Sequence, residues 1–219
     1  MLNRKYLSLG VALRTFVLCI VLVGVSAFVT SRVISDDTAA KAGDPKQPQM
    51  PPEMAEMMKK MQELGTPGPH HRHMDAFVGE WNASGKFWMG PGEPTTTEGT
   101  ATFKWILDGR YIQEDYRSEW DGQPFNGLSI FGYDNFAKQY TSLWMDNMST
   151  SVFSSTGECD SSGKSFTFSG ESPDCMTGKL KKHRMEWRVI SKDKHVFEMH
   201  EADKDGKMMK MMEIVYTRK

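Results

Sequence analysis

No basic block occurs anywhere in the chain. Its 27 lysines and arginines are offset by 28 acidic residues over 219 positions, a formal net charge of −1. Neither a nucleic acid nor an anionic membrane surface finds an electrostatic footprint here. Cysteine is scarce: Cys19, Cys159 and Cys175 are the complete set, and no Cys-x-x-Cys pair is formed. Also missing are a phosphate-cradling glycine loop, a zinc-protease His-Glu pair and a nucleophile elbow. The run "GLSIFG", residues 127–132, imitates an elbow, but Phe131 stands where its second glycine belongs. These absences argue against a nucleophilic hydrolase. What is present is 39% hydrophobic and 11% aromatic residues, enough for one core and outside the compositional range of disordered chains.

Near the N-terminus, Arg4, Lys5 and Arg14 precede the uncharged run "TFVLCIVLVGVSAFV". It is too short to span a bilayer comfortably and has the length of a signal-peptide core. Val25, Ser26 and Ala27 supply the small residues a signal peptidase reads, so cleavage after Ala27 is expected. Uncleaved, the segment lengthened by "YLSLGVAL" would tether the chain to a membrane through residues 7–29. Both alternatives predict an extracytoplasmic domain. Cys19 follows the bulky Leu18 inside the apolar run and reads as a core cysteine of the signal rather than a lipidation site. Export would leave Cys159 and Cys175 where disulfides persist. The apparent strand "KSFTFSG" lies between them, and ~7 extended residues span about 23 Å. Bridged Cα atoms must approach within about 7 Å, so two unbridged thiols are the favoured reading.

Residues 31–49 are small, charged and proline-containing, as a solvated tether would be. Met50, Met54, Met57, Met58, Met61 and Leu64 then recur at helical spacing behind Pro51 and Pro52 and before Gly65. This predicts a short amphipathic helix with a methionine face. "TPGPHHRH" breaks it, and Met74 to Val78 is read as a single helical turn. From Trp81 onward aromatic and β-branched runs alternate with Asp-Gly, Asn and Ser-Gly turns. About ten strands are expected, near 80–89, 97–107, 110–120, 124–133, 138–146, 149–156, 164–170, 181–190, 194–202 and 207–217. Short loops make neighbours antiparallel, and closure removes the edges. The fold class is therefore all-β, an antiparallel up-and-down β-barrel of about ten strands. The expected organisation is a signal peptide or membrane anchor at 1–27, a linker at 28–49, the Met-rich helix and lead-in at 50–78, and the barrel at 79–219.

Register arithmetic identifies the inner face. Taken as two-residue hairpin turns, Asp108-Gly109 pairs Trp105 with Ile112, Phe103 with Glu114 and Ala101 with Tyr116. Asp121-Gly122 places Phe125, Gly127, Ser129 and Phe131 on the same side. Glu114 is the conspicuous polar exception of that face, with Ser129 opposite. In "MEWRVI", Met185, Trp187 and Val189 form the apolar side, with Glu186 and Arg188 outward. An even-length turn at Asp203 to Gly206 puts His195, Phe197 and Met199 with Met212, Ile214 and Tyr216; an odd-length turn would swap them.

Several ordered motifs, "TPGPHHR", "FVGEW", "ILDGRYIQEDY", "PFNGLSIFGYDN", "LWMDNMST" and "MMEIVYTRK", resemble the bacterial domain-of-unknown-function family 1579 from about residue 50 to the C-terminus. The resemblance implies a small, often exported β-barrel without established activity, and it supplies no catalytic residues. The Gly-x-Trp pattern of Gly79 and Trp81 is similar to the opening of calycin barrels such as lipocalins, fatty-acid-binding proteins and nitrobindins.

Polar groups on an apolar lumen need partners or a ligand to offset desolvation, which makes Glu114 and His195 the leading site candidates. Tyr116, Ser129, Tyr133 and Tyr216 would complete the pocket, with Trp105 and Trp187 as walls. The competing reading has these groups bonding one another and water inside a filled barrel. His195 also matches a nitrobindin-like axial haem ligand, but no haem-attachment pattern accompanies it and no cofactor is expected. His70, His71 and His73 beside the methionines have the donor types of a copper site. Methionines at helical spacing more often pack on a neighbouring surface, so no metal is expected. "DKDG" at 203–206 lacks the remaining acidic ligands of a calcium loop, and Asp134 reads as a turn residue. The sequence thus points to an exported or membrane-tethered barrel binding a small, mainly apolar molecule. An enzyme using Glu114 and His195 as acid and base, and a filled structural or interaction module, are its rivals.

Overall fold

The computed structural model describes residues 50–219 apart from 91, 175 and 204. The expected signal or anchor segment, the linker, and the Cys175 half of any disulfide lie outside the described residues.

Helix α1, Pro52–Gly65, begins at a proline whose missing N–H costs nothing in a first turn. Asn135 secures its end, donating from Nδ2 to the carbonyls of Leu64 and Thr66 at 2.8 and 2.9 Å. The methionine face does not pack as the spacing suggests. No α1 residue is buried, and Met61 is 64% exposed. The nearby barrel end is already filled from another source, which explains this. A short helix α2, Pro69–Arg72, and a 3-10 turn, His73–Phe77, bring Met74 and Phe77 there instead, both buried.

Ten strands follow: β1 Gly79–Phe87, β2 Thr95–Ile106, β3 Tyr111–Trp120, β4 Gln123–Asp134, β5 Gln139–Asp146, β6 Phe153–Cys159, β7 Ser165–Pro173, β8 Leu180–Ser191, β9 Lys194–Ala202 and β10 Met208–Arg218. Each pairs antiparallel with its sequence neighbour, and β1 pairs with β10, closing the barrel. Closure leaves no unpaired edge. Strand β6 starts later than the expected residue 149. Asp146 Oδ1 accepts from the N–H groups of Met148 and Ser149 at 3.0 and 3.2 Å, folding "DNMST" into a loop.

The two Asp-Gly turns have the positive φ angles of a type I′ hairpin, 55° and 80° at Asp108-Gly109, 50° and 72° at Asp121-Gly122. The pairs Trp105–Ile112, Phe103–Glu114, Ala101–Tyr116, Glu114–Ser129 and Ile112–Phe131 follow. The last hairpin reaches the expected face by another route. Residues 203–207 separate Ala202 from Met208, an odd number, which alone would have put His195 outside. A β-bulge between Lys210 and Met212 compensates, returning Met212, Ile214 and Tyr216 opposite Met199, Phe197 and His195. Outside the barrel, Arg184, Glu186, Arg188, Glu198, Lys210 and Glu213 form a charged ladder over β8 to β10.

Candidate functional site

The barrel's two ends differ. At the β1 start, the Phe77 ring lies within 6.2 Å of the rings of Phe103, Phe131, Phe166, Trp187 and His195. Trp81 donates from its indole to the Phe77 carbonyl at 2.7 Å. The Arg218 guanidinium stacks over Trp81 at 4.1 Å and donates to the Val78 carbonyl. Gly79, at φ 137°, admits this arrangement, because a Cβ there would collide with Arg218. This end is plugged.

Glu114 and His195 lie at the inner edge of the plug, each 1% exposed. Tyr216 connects them: its hydroxyl donates to Glu114 Oε1 at 3.0 Å, and its ring stacks on His195 at 4.4 Å. Burial pushes the Glu114 pKa up to about 8, outweighing the Tyr216 hydrogen bond, so the carboxyl is predominantly protonated at neutral pH. Burial drives His195 in the opposite direction, to about 3, reinforced by Arg218. Neither ring nitrogen of His195 has a hydrogen-bond partner among the described residues. Its ring stands edge-on to Trp81 at 4.3 Å. Here His195 is a neutral aromatic disc.

The remaining candidates divide between the ends. Trp187 packs in the plug against Phe77 and Tyr216. Trp105 bonds Asp75 beneath the 3-10 turn at 3.0 Å. Tyr133 stacks on His70 at 4.3 Å, away from Glu114. The neighbouring histidines secure this cap: His73 Nδ1 lies 2.9 Å from the Tyr140 hydroxyl, which donates to the His70 carbonyl, and His71 Nδ1 accepts from Gly68 N–H. Ser129 sits opposite Glu114 and beside Trp144. Tyr116 points toward the far end, its ring 6.0 and 6.3 Å from Phe125 and Trp144.

That far end is lined by apolar side chains that remain half-buried. Met185, Met199 and Met212 face one another across β8, β9 and β10, with Phe87 opposite Met212 and Phe153 opposite Trp144. Polar groups join them: His183 Nε2 lies 2.8 Å from Ser155 Oγ. Sequence reasoning missed Ser142, Ser155 and His183. Their common row depends on register through the loops 147–152, 160–164 and 174–179, which lack the two-residue turns that made β2 to β4 readable. Two open hollows, about 350 and 470 Å³, lie against the barrel wall, one lined by Ser142, Ser154, Ser155 and Gly170 among others and the second by Tyr116, Arg117, Asn126 and Leu128. Neither includes Glu114 or His195.

Several solved structures resemble the chain at low sequence identity. Rv2717c from M. tuberculosis is 13% identical, covering 70% of this chain and 99% of its own, with a TM-score of 0.48. The redesigned beta barrel b11L5F_LGL is 13% identical over 68% and 96%, TM-score 0.36. EF1p2_mFAP2b, solved bound to DFHBI, is 11% identical over 68% and 99%, TM-score 0.38. No curated protein matches the chain. The family model described as "Protein of unknown function (DUF1579)" matches residues 66–218, from the cap through β10, and the chain belongs to that family.

Proposed function

We propose that this protein is an exported or membrane-tethered barrel that binds a small, mainly apolar molecule through the end opposite the Phe77 plug. The contrast between the ends carries the reading: aromatic rings bury one end, while Met185, Met199, Met212, Phe125 and Trp144 remain half-buried at the other. Apolar walls with a few inward polar groups suit a ligand of apolar body and sparse hydrogen bonding. Glu114, protonated, offers a donor below that mouth. His195 contributes aromatic surface. The acid and base alternative is disfavoured because Tyr216 contacts both groups and stands between them. Export rests on the charged N-terminus and apolar run preceding Ala27.

Native mass spectrometry of the full chain recovered from its own cell envelope tests both parts. The expected result is an organic mass increment, weakened by Glu114→Gln and abolished by a charge in the mouth, Met199→Asp. An apo mass together with failure to take up any apolar dye would establish the filled structural barrel instead. The close packing around Phe77 and His195 is the feature that favours this rival. Recovery only from the cytosol would overturn export.

A further inference from the structure

We propose that Ser155 and His183 form a nucleophile and base pair in the barrel mouth, acting on a carboxylic ester with a small acyl group. The inference rests on the proposed reading of this end as the ligand-binding one. Register places Ser142, Ser155, Gly170, His183 and Glu201 in one inward row across β5 to β9. Ser155 and His183 stand two strands apart, where an intervening side chain would separate them. The intervening residue is Gly170, and a Cβ there would lie 2.8 Å from both His183 Nε2 and Ser155 Oγ. The absence of a side chain on β7 makes room for the 2.8 Å contact.

Both residues are buried, 5% and 2% exposed, yet His183 Nδ1 has no hydrogen-bond partner among the described residues. That nitrogen is left for a partner the described residues do not supply. Glu201 faces His183 from the next strand, its carboxylate 2.7 Å from Lys181 Nζ. Hydroxyl and imidazole are thus in the contact nucleophilic catalysis uses, which is recognised by geometry rather than by local motif, with the Glu201 carboxylate one strand on and paired with Lys181. The missing elbow does not exclude it. Burial lowers the His183 pKa, leaving a neutral imidazole able to accept a proton at neutral pH. Ser142, cross-strand from Ser155, adds a second buried hydroxyl-bearing residue to the row.

Ser155 Oγ attacks the ester carbonyl carbon while its proton passes to His183 Nε2. The ester C–O bond breaks, and the alcohol leaves with that proton. Water then gives a proton to His183 and attacks the acyl-serine, the acid is released, and Ser155 regains its proton from His183. Ester and water become acid and alcohol. Glu201, held by Lys181, acts on the ring through its charge rather than through a hydrogen bond.

Two probes test the pair on the full chain: a small fluorophosphonate, read by peptide mass, and p-nitrophenyl acetate, read by nitrophenolate release. The label should fall on Ser155, and Ser155→Ala or His183→Gln should remove it and reduce hydrolysis about a hundredfold or more. Glu201→Gln should lower kcat with little change in KM. Should Ser155→Ala fail to fold, Ser155→Cys should retain an acetyl-thioester mass after exposure to the ester. No label on Ser155, or hydrolysis unchanged by its replacement, overturns the proposal. An apolar dye bound without Ser155 labelling overturns this inference and leaves the binding reading; labelled Ser155 in a barrel that takes no apolar ligand does the reverse.

Discussion

Glu114 stays predominantly uncharged at neutral pH because it is buried in an apolar lumen, where the Tyr216 hydroxyl is its only side-chain partner among the described residues. Its pKa, about 8 in the fold against 4.5 ordinarily, sets a sign. Between these values the native state holds a proton that the unfolded chain releases, so stability falls as pH rises through the window. His195, about 3 against 6.5, acts oppositely: the native state holds fewer protons, and stability rises with pH up to 6.5. About one pH unit above 6.5, once the unfolded histidines have shed their protons, the Glu114 effect stands without the opposing effects of His195 and His183. Urea denaturation from pH 7.5 upward should show stability dropping by up to about 1.4 kcal/mol per pH unit. Glu114→Gln should flatten that slope, and an unchanged slope would mean the carboxyl is already ionised. Trp81 belongs to the same scale. Truncation to alanine removes the bond to the Phe77 carbonyl, the stack beneath Arg218 and a wholly buried ring. A loss of about 3–5 kcal/mol is expected; an unaltered melting curve would refute the part given to Trp81 in closing this end.

Among the elements, α1 and the β9–β10 hairpin show what periodicity can and cannot say. The spacing of Met54, Met57, Met58 and Met61 correctly marks a helix, but amphipathicity does not establish that a surface covers the apolar side. That surface had to come from the barrel, whose end takes Phe77 instead. Met57→Lys together with Met61→Lys should therefore shift stability by no more than about 0.5 kcal/mol each, as exposed positions do. A large drop in thermal denaturation would reveal a contact for this face. In the last hairpin the inward assignment of Tyr216 and His195 follows from two irregularities that cancel, the odd loop and the bulge at 210–212. A bulge has no unique sequence signature. The alternation of "MMKMMEIVY" is compatible with either face until β9 is in place.

For the whole molecule, closure makes the barrel one cooperative unit, with α1 held at its C-terminal end by Asn135. Hydrogen exchange should find α1 amides unprotected early, while the central amides of β2, β3 and β4 exchange only with global unfolding. Equal protection of α1 would contradict its exposure. Much of this architecture was legible from residues alone, because Asp-Gly turns and period-two alternation are local: neighbouring dihedrals and the pleat decide them. They were enough to choose the strand type, to put Glu114 opposite Ser129, and to face Trp105, Ile112 and Tyr116 inward. Which inward residues meet was not local. Tyr216 reaches Glu114 across 102 positions, and Tyr133 and Trp105 were drawn to the cap by His70 and Asp75. Ser155 and His183 met over Gly170 only through pairings set by two irregular loops. Sequence by itself determined the alternation and the turns, since each costs or gains energy within a few residues. Tertiary structure alone decided which end is plugged and which polar groups share a partner, because those depend on side chains brought together by closure.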